Sequence, residues 1–197
     1  MVVSGLGSSA VSSVVSPAAA APATRNCGHL IVDPRGNSYE FFLPTKPYNP
    51  ETDLLSVDAV TTASDVVFTV TMASVNASPT TGTSVAVYFT VSHQGGLAHY
   101  LVSVNHEVDA TTYLIQNQDT DQVTHVTGRV DPKAGTYAVT VPRTDIDATY
   151  RGALLKELGV WTSQDVGTSL AGGGFIEQST GPEYHYRVGY GYGCGRK

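Results

Sequence analysis

The chain has 197 residues, 14% of them charged, with a net charge of −6. That length is enough for one domain with a sizeable core. An acidic balance with no basic patch argues against a nucleic-acid-binding protein. Eleven Tyr and five Phe among many Val and Thr favour strands over helices.

Residues 1–24 stand apart from the rest. The run "MVVSGLGSSAVSSVVSPAAAAPA" has no charge and consists almost wholly of small residues. Ala18 to Ala23 offers A-x-A triplets of the kind cleaved after a signal peptide, without the basic region that precedes one. The segment is too rich in Ser, Gly and Pro to span a membrane. It reads as a leader, a linker or an N-terminal arm, and it suggests a secreted, extracellular or cell-surface protein. As an arm, residues 2–16 would add as a strand to an exposed sheet edge of a neighbouring subunit. Residues 25–197 are expected to form the folded domain.

That domain reads as a series of strands. "HLIVDPRGNSYEFF" predicts strand, turn, strand, with Asp33 to Gly36 as the turn. The prolines of "LPTKPYNPET" make a loop. A strand follows in "DLLSVDAV", and another in "DVVFTVTMA", where Val66, Phe68, Val70 and Met72 share one face. In "SVAVYFTVSHQGGLAHYLVSV" a two-residue turn at Gly95-Gly96 pairs Val91 with Tyr100, Phe89 with Val102 and Val87 with Val104. "TTYLIQNQ" is a further strand. "VTHVTGRVDPKAGTYAVTVP" is a second hairpin, with Pro132 to Gly135 as its loop, Val130 facing Tyr137 and Val126 facing Val141. In "RTDIDATYRGALLKELG" the four-residue recurrence of Ile146, Tyr150, Leu154 and Leu158 predicts a short helix. Thr144 would cap it and Gly159 would stop it. The alternative is a turn at 144–147 and a strand from Ala153 to Trp161. The expected fold is therefore an all-β antiparallel sandwich, immunoglobulin-like or jelly-roll-like, with one short helix.

Chemistry-bearing residues are sparse. Cys27 and Cys194 lie near opposite ends of the folded part and are expected to form a disulfide tying the first strand to the last; two buried thiols are the alternative. In "YHYRVGYGYGC" the residues Tyr184, Tyr186, Tyr190 and Tyr192 would share one strand face, either as core or, with Trp161, as a platform for sugar rings or a partner chain. "NPETDLLSVD" carries Glu51, Asp53 and Asp58, hard oxygen ligands suited to structural Ca²⁺. Acids after a proline loop also serve as turn formers at the entrance to a strand. His93 and His99 fall on opposite strand faces, and no H-x-x-x-H, H-E-x-x-H or G-x-S-x-G spacing occurs, so no catalytic constellation is expected.

The succession "D-x-x-G-N…PYNPETDLLSVDAVTTASDVVFTVTMASV…VAVYFTVS…HYLVSV…VTGRVDPKAGTYAVTVPRTDI", about residues 27–165, resembles accessory β-sandwich domains of secreted bacterial proteins. These are distantly similar to DOMON domains and family-nine carbohydrate-binding modules. The resemblance implies a sandwich fold and a non-catalytic role. Two functions follow as expectations. One is an extracellular module that binds carbohydrate or a surface protein. The other is a self-assembling homo-oligomer or filament subunit of a surface layer, with residues 1–24 as the intersubunit strand.

Overall fold

The structure is a computed structural model, described for residues 29–36, 38–40, 48–93, 96–165, 174–180 and 185–189. Two antiparallel sheets pack face to face as a β-sandwich. The smaller contains β1 (Ile31–Val32), β3 (Leu54–Thr61), β4 (Asp65–Met72), β10 (Thr136–Pro142) and β9 (Thr127–Asp131), in that spatial order. The larger runs β2 (Tyr39–Glu40), β12 (Gly174–Thr180), β11 (Leu154–Asp165), β5 (Thr83–His93), β6 (Gly96–His106), β7 (Thr111–Asn117), β8 (Gln122–His125), with β13 (Tyr186–Arg187) paired to β11.

Two-residue alternation builds the core between the sheets. Val66, Phe68, Val70 and Met72 of β4 are buried, as are Val85, Val87, Phe89 and Val91 of β5 and Ala98, Tyr100, Val102 and Val104 of β6. Phe68 of the smaller sheet stacks on Phe89 of the larger with ring centroids 5.4 Å apart, and Phe89 stacks on Tyr100 at 5.8 Å. Each such pair contributes about 0.5–1.5 kcal/mol beyond the area it buries.

One end of the sandwich is closed by polar groups. The loop before β3 lies against β11: Thr162 Oγ1 donates to Thr52 O at 2.6 Å, and Asn49 Nδ2 donates to Gln164 Oε1 at 2.7 Å. Gln164 Nε2 donates in turn to Glu51 Oε2 at 3.0 Å and Thr83 Oγ1 at 3.1 Å. "NPETD" is thus a hydrogen-bonded clasp between the sheets that leads into a strand.

Three expectations are corrected. The first hairpin pairs Val91 with Ala98, Phe89 with Tyr100 and Val87 with Val102, and Gly96 is already a strand residue opposite His93, not part of the turn. Alternation specifies register only to within two residues, because a slip of two leaves every side chain on its own face. In the second hairpin the Pro132–Gly135 loop and the Val130–Tyr137 pair are present, but pairing ends at Thr127 opposite Thr140, without Val126 and Val141. There the chain changes sheets. Gln122–His125 pairs with β7, Val126 N donates to Tyr113 O, and Thr127–Asp131 pairs with β10.

The third correction concerns the helix, which is a single 3-10 turn at Arg143–Ile146. Asp147 at φ 52° leaves the helical region, and the Arg143 guanidinium holds the carbonyls of Ala148, Thr149 and Ala63. Thr144 donates to Asp145 Oδ1 and makes no cap. Leu154 and Leu158 belong to β11, whose Leu155, Leu158 and Val160 are fully buried, as is Ala153 just before it. Gly159 stops nothing: it lies inside the strand, opposite Tyr88.

Candidate binding surfaces

The predicted acidic residues fall into three separate networks. Asp53 is buried, and both its oxygens accept the Gly36 N–H, at 3.1 and 3.0 Å, while Tyr48 OH donates to Oδ2 at 2.7 Å. This holds the 33–36 turn against the start of β3. Glu51 belongs to the clasp. Asp58 lies on the smaller sheet, its Oδ2 2.8 Å from His29 Nδ1. Among the described residues no three His, Cys, Asp or Glu side chains come together.

Tyr186 is core, which corrects its place on a binding platform. It is fully buried with Val188, and its hydroxyl lies 2.6 Å from Thr61 Oγ1 of the smaller sheet. Thr61 Oγ1 also accepts the Gly189 N–H at 3.0 Å. Tyr184, Tyr190, Tyr192, Cys27, Cys194 and residues 1–24 lie outside the described residues.

Trp161 does face outward, with 37% of its surface exposed. The strand registers place it on the outer face of the larger sheet, in a cross-strand row with Ala86, Ser103, Leu114 and His125. The next row holds Gly159, Tyr88, Leu101, Gln116 and Val123. A Cβ on Gly159 would collide with the outer end of the Tyr88 ring, so the glycine lets that ring lie flat over the strand. Ser84 Oγ donates to Asn105 Oδ1 at 2.9 Å on the opposite flank. The two rows contain aromatic, aliphatic, hydroxyl, amide and imidazole groups, with no Asp, Glu, Lys or Arg. These two rows can stack on an apolar surface and exchange hydrogen bonds without a fixed charge; the row beyond Gly159 brings Lys156, opposite Thr90.

Compared with protein-family models, with curated proteins and with solved structures, the chain has no match.

A second feature is a cleft of about 250 Å³ between the 143–147 turn and the end of the larger sheet. It is lined by Tyr100, Asn117, Gln122, Thr124, Thr144, Asp145 and Asp147, with Ile115 as its apolar wall. Tyr100 is 2% exposed, and its hydroxyl donates to Asp147 Oδ2 at 2.7 Å. Burial first, then the bond to Asp147, pushes the Tyr100 phenol well above its ordinary range, so it stays a donor. Asn117 Oδ1 accepts the N–H groups of Asp119 (3.0 Å) and Thr120 (3.2 Å) and so turns the chain from β7 to β8. Sequence reasoning missed this cleft. Its only signal was polar residues in "QNQDTDQVT" at the inward phase of the alternation. Only the fold shows that "TDID" lies opposite them.

Proposed function

We propose that this protein is a non-catalytic extracellular or cell-surface module that binds a neutral carbohydrate on the outer face of its larger sheet. The observation that carries this reading is the pair of uncharged rows around Trp161. Sugar rings present apolar C–H faces and hydroxyl edges, and the surface supplies the complement: Trp161 and Tyr88 for the faces, Ser103, Asn105, Gln116 and His125 for the edges. Within these two rows a protein partner recognised through ion pairs would find nothing to pair with. The resemblance of residues 27–165 to accessory sandwich domains supports the same role. The test is a glycan array followed by affinity electrophoresis on the best glycan. Trp161→Ala should weaken retention by about 2 kcal/mol, roughly thirtyfold in Kd, with an unchanged melting temperature. An array with no glycan retained, or retention indifferent to Trp161, overturns it.

One observation favours the second reading, a self-assembling subunit. Among the described residues the run 122–131 is the outer edge of both sheets in turn, and Gln122, Val123, His125, Thr127, Gly128 and Arg129 are exposed along it. An open edge of this kind accepts an added strand, and residues 2–16 have the composition for one. Deleting residues 1–24 should abolish assembly in sedimentation and leave the fold intact. Assembly by the shortened chain excludes the arm.

A further inference from the structure

Alternation assigns Asn117 of β7 and Gln122 and Thr124 of β8 to the inward face of the larger sheet. Asn117 is opposite Tyr100 on one side and Gln122 on the other, and Thr124 is opposite buried Ile115. At these inward positions the side chains are not closed off: Gln122 is exposed and Asn117 and Thr124 are half-buried. Here the facing layer is the 143–147 turn, which covers them incompletely and leaves the cleft.

The charge of the cleft is one-sided. Asp145 and Asp147 bring two carboxylates, and no lining residue is Lys or Arg. Arg143, on the same turn, aims its guanidinium at three backbone carbonyls, 2.6–3.1 Å away. His99 is engaged with Asp119 at 2.8 Å. The Tyr100 hydroxyl holds Asp147 Oδ2, and Thr144 holds Asp145 Oδ1 at 3.2 Å. The carboxylates are therefore oriented by neutral donors, which leaves their charge uncompensated.

We propose that this cleft binds the primary ammonium group of a small ligand, seated between Asp145 and Asp147 with its remaining polar atoms on Asn117, Gln122 and Thr124. An ammonium carries three donors and no acceptor, which matches a lining rich in acceptors. A bare divalent cation is the poorer match. Calcium draws six to eight oxygens to about 2.3–2.6 Å, whereas these groups surround a space several atoms wide. The volume is just below that of common small-molecule pockets and suits a ligand of few heavy atoms. An alkylammonium could come from a diamine, from a lysine side chain or from an amino sugar.

The test uses the full chain and two amine probes, putrescine and glucosamine, with glucose and N-acetylglucosamine as neutral controls. Amide chemical shifts of residues 115–124 and 143–147 are followed by NMR. Both amines, or glucosamine alone, should shift these residues, more weakly as salt rises. Binding of putrescine points to any alkylammonium; binding of glucosamine alone points to an amino sugar. Asp147→Asn should weaken binding about tenfold. Asp145→Asn, at an exposed position on the same turn, should do likewise and stands in if the first variant folds poorly. Trp161→Ala should change nothing, which separates this site from the carbohydrate face. Glucose binding as well as glucosamine, calcium displacing both amines, or no shift from either amine overturns the proposal.

Discussion

Gly159 and Gly128 lie in strands of different sheets, and each leaves room for a tyrosine ring, Tyr88 from the adjacent strand and Tyr113 from β7 of the facing sheet. A Cβ on Gly159 would meet the outer end of the Tyr88 ring. A Cβ on Gly128 would meet the edge of the Tyr113 ring and, at 2.6 Å, the Ala138 carbonyl. Tyr88 lies on the outside of the larger sheet, where its ring end has solvent to move into. Tyr113 is opposite buried Val104, so it points between the sheets and packs on the core. The same glycine-for-ring device thus shapes a surface in one place and closes the sandwich in the other. It closes it where β9 has just crossed from one sheet to the other.

The largest effect is expected inside. Gly128→Ala forces a methyl against a ring with little room to withdraw and against a backbone carbonyl. Overpacking of this kind costs about 2 kcal/mol, after the small gain from a less flexible unfolded chain. For a chain of this size that is a fall of about 4–8 °C in melting temperature. A variant that melts with the parent would show that β9 can shift, and the comparison would fail.

A double-mutant cycle sharpens the assignment. Tyr113→Ala removes the ring, so the added methyl of Gly128→Ala should cost about 1 kcal/mol less in that background than alone. The residue of the cost belongs to the Ala138 carbonyl. Equal costs in both backgrounds, read from denaturant midpoints, would place the whole penalty on the backbone.

These two pairs also mark how far the sequence could be read. Alternation in β4, β5 and β6 showed which residues face inward, because burying one face of a strand repeats every second residue. The sandwich follows from it. It could not distinguish registers two residues apart, which is why Val91 pairs with Ala98 and not with Tyr100. Nor could it show that one extended run serves both sheets, since the crossing at Val126 is held by Tyr113 of β7, whose carbonyl accepts the Val126 N–H and whose ring lies against Gly128. The 143–159 segment misled because a four-residue apolar spacing was shared between a 3-10 turn and a strand carrying a bulge between Lys156 and Gly159. Tyr186 was legible as core but not as the residue that bonds Thr61. Trp161 was legible as a candidate contact. The uncharged rows around it, and the cleft beside Tyr100, depend on strand order.

The smallest change in stability is expected outside. Gly159→Ala meets only the outer end of the Tyr88 ring, which can swing toward solvent. The lost contacts should cost less than about 1 kcal/mol, partly offset by the alanine's lower unfolded-state entropy. The effect on binding should be larger than the effect on folding, because a ring lifted from the sheet no longer continues the surface of Trp161. Glycan retention should fall severalfold while the melting temperature moves by a degree or two. The opposite pattern, a large loss of stability with retention unchanged, would mean that Tyr88 is a packing residue like Tyr113. The outer face would then have to bind through Trp161 alone.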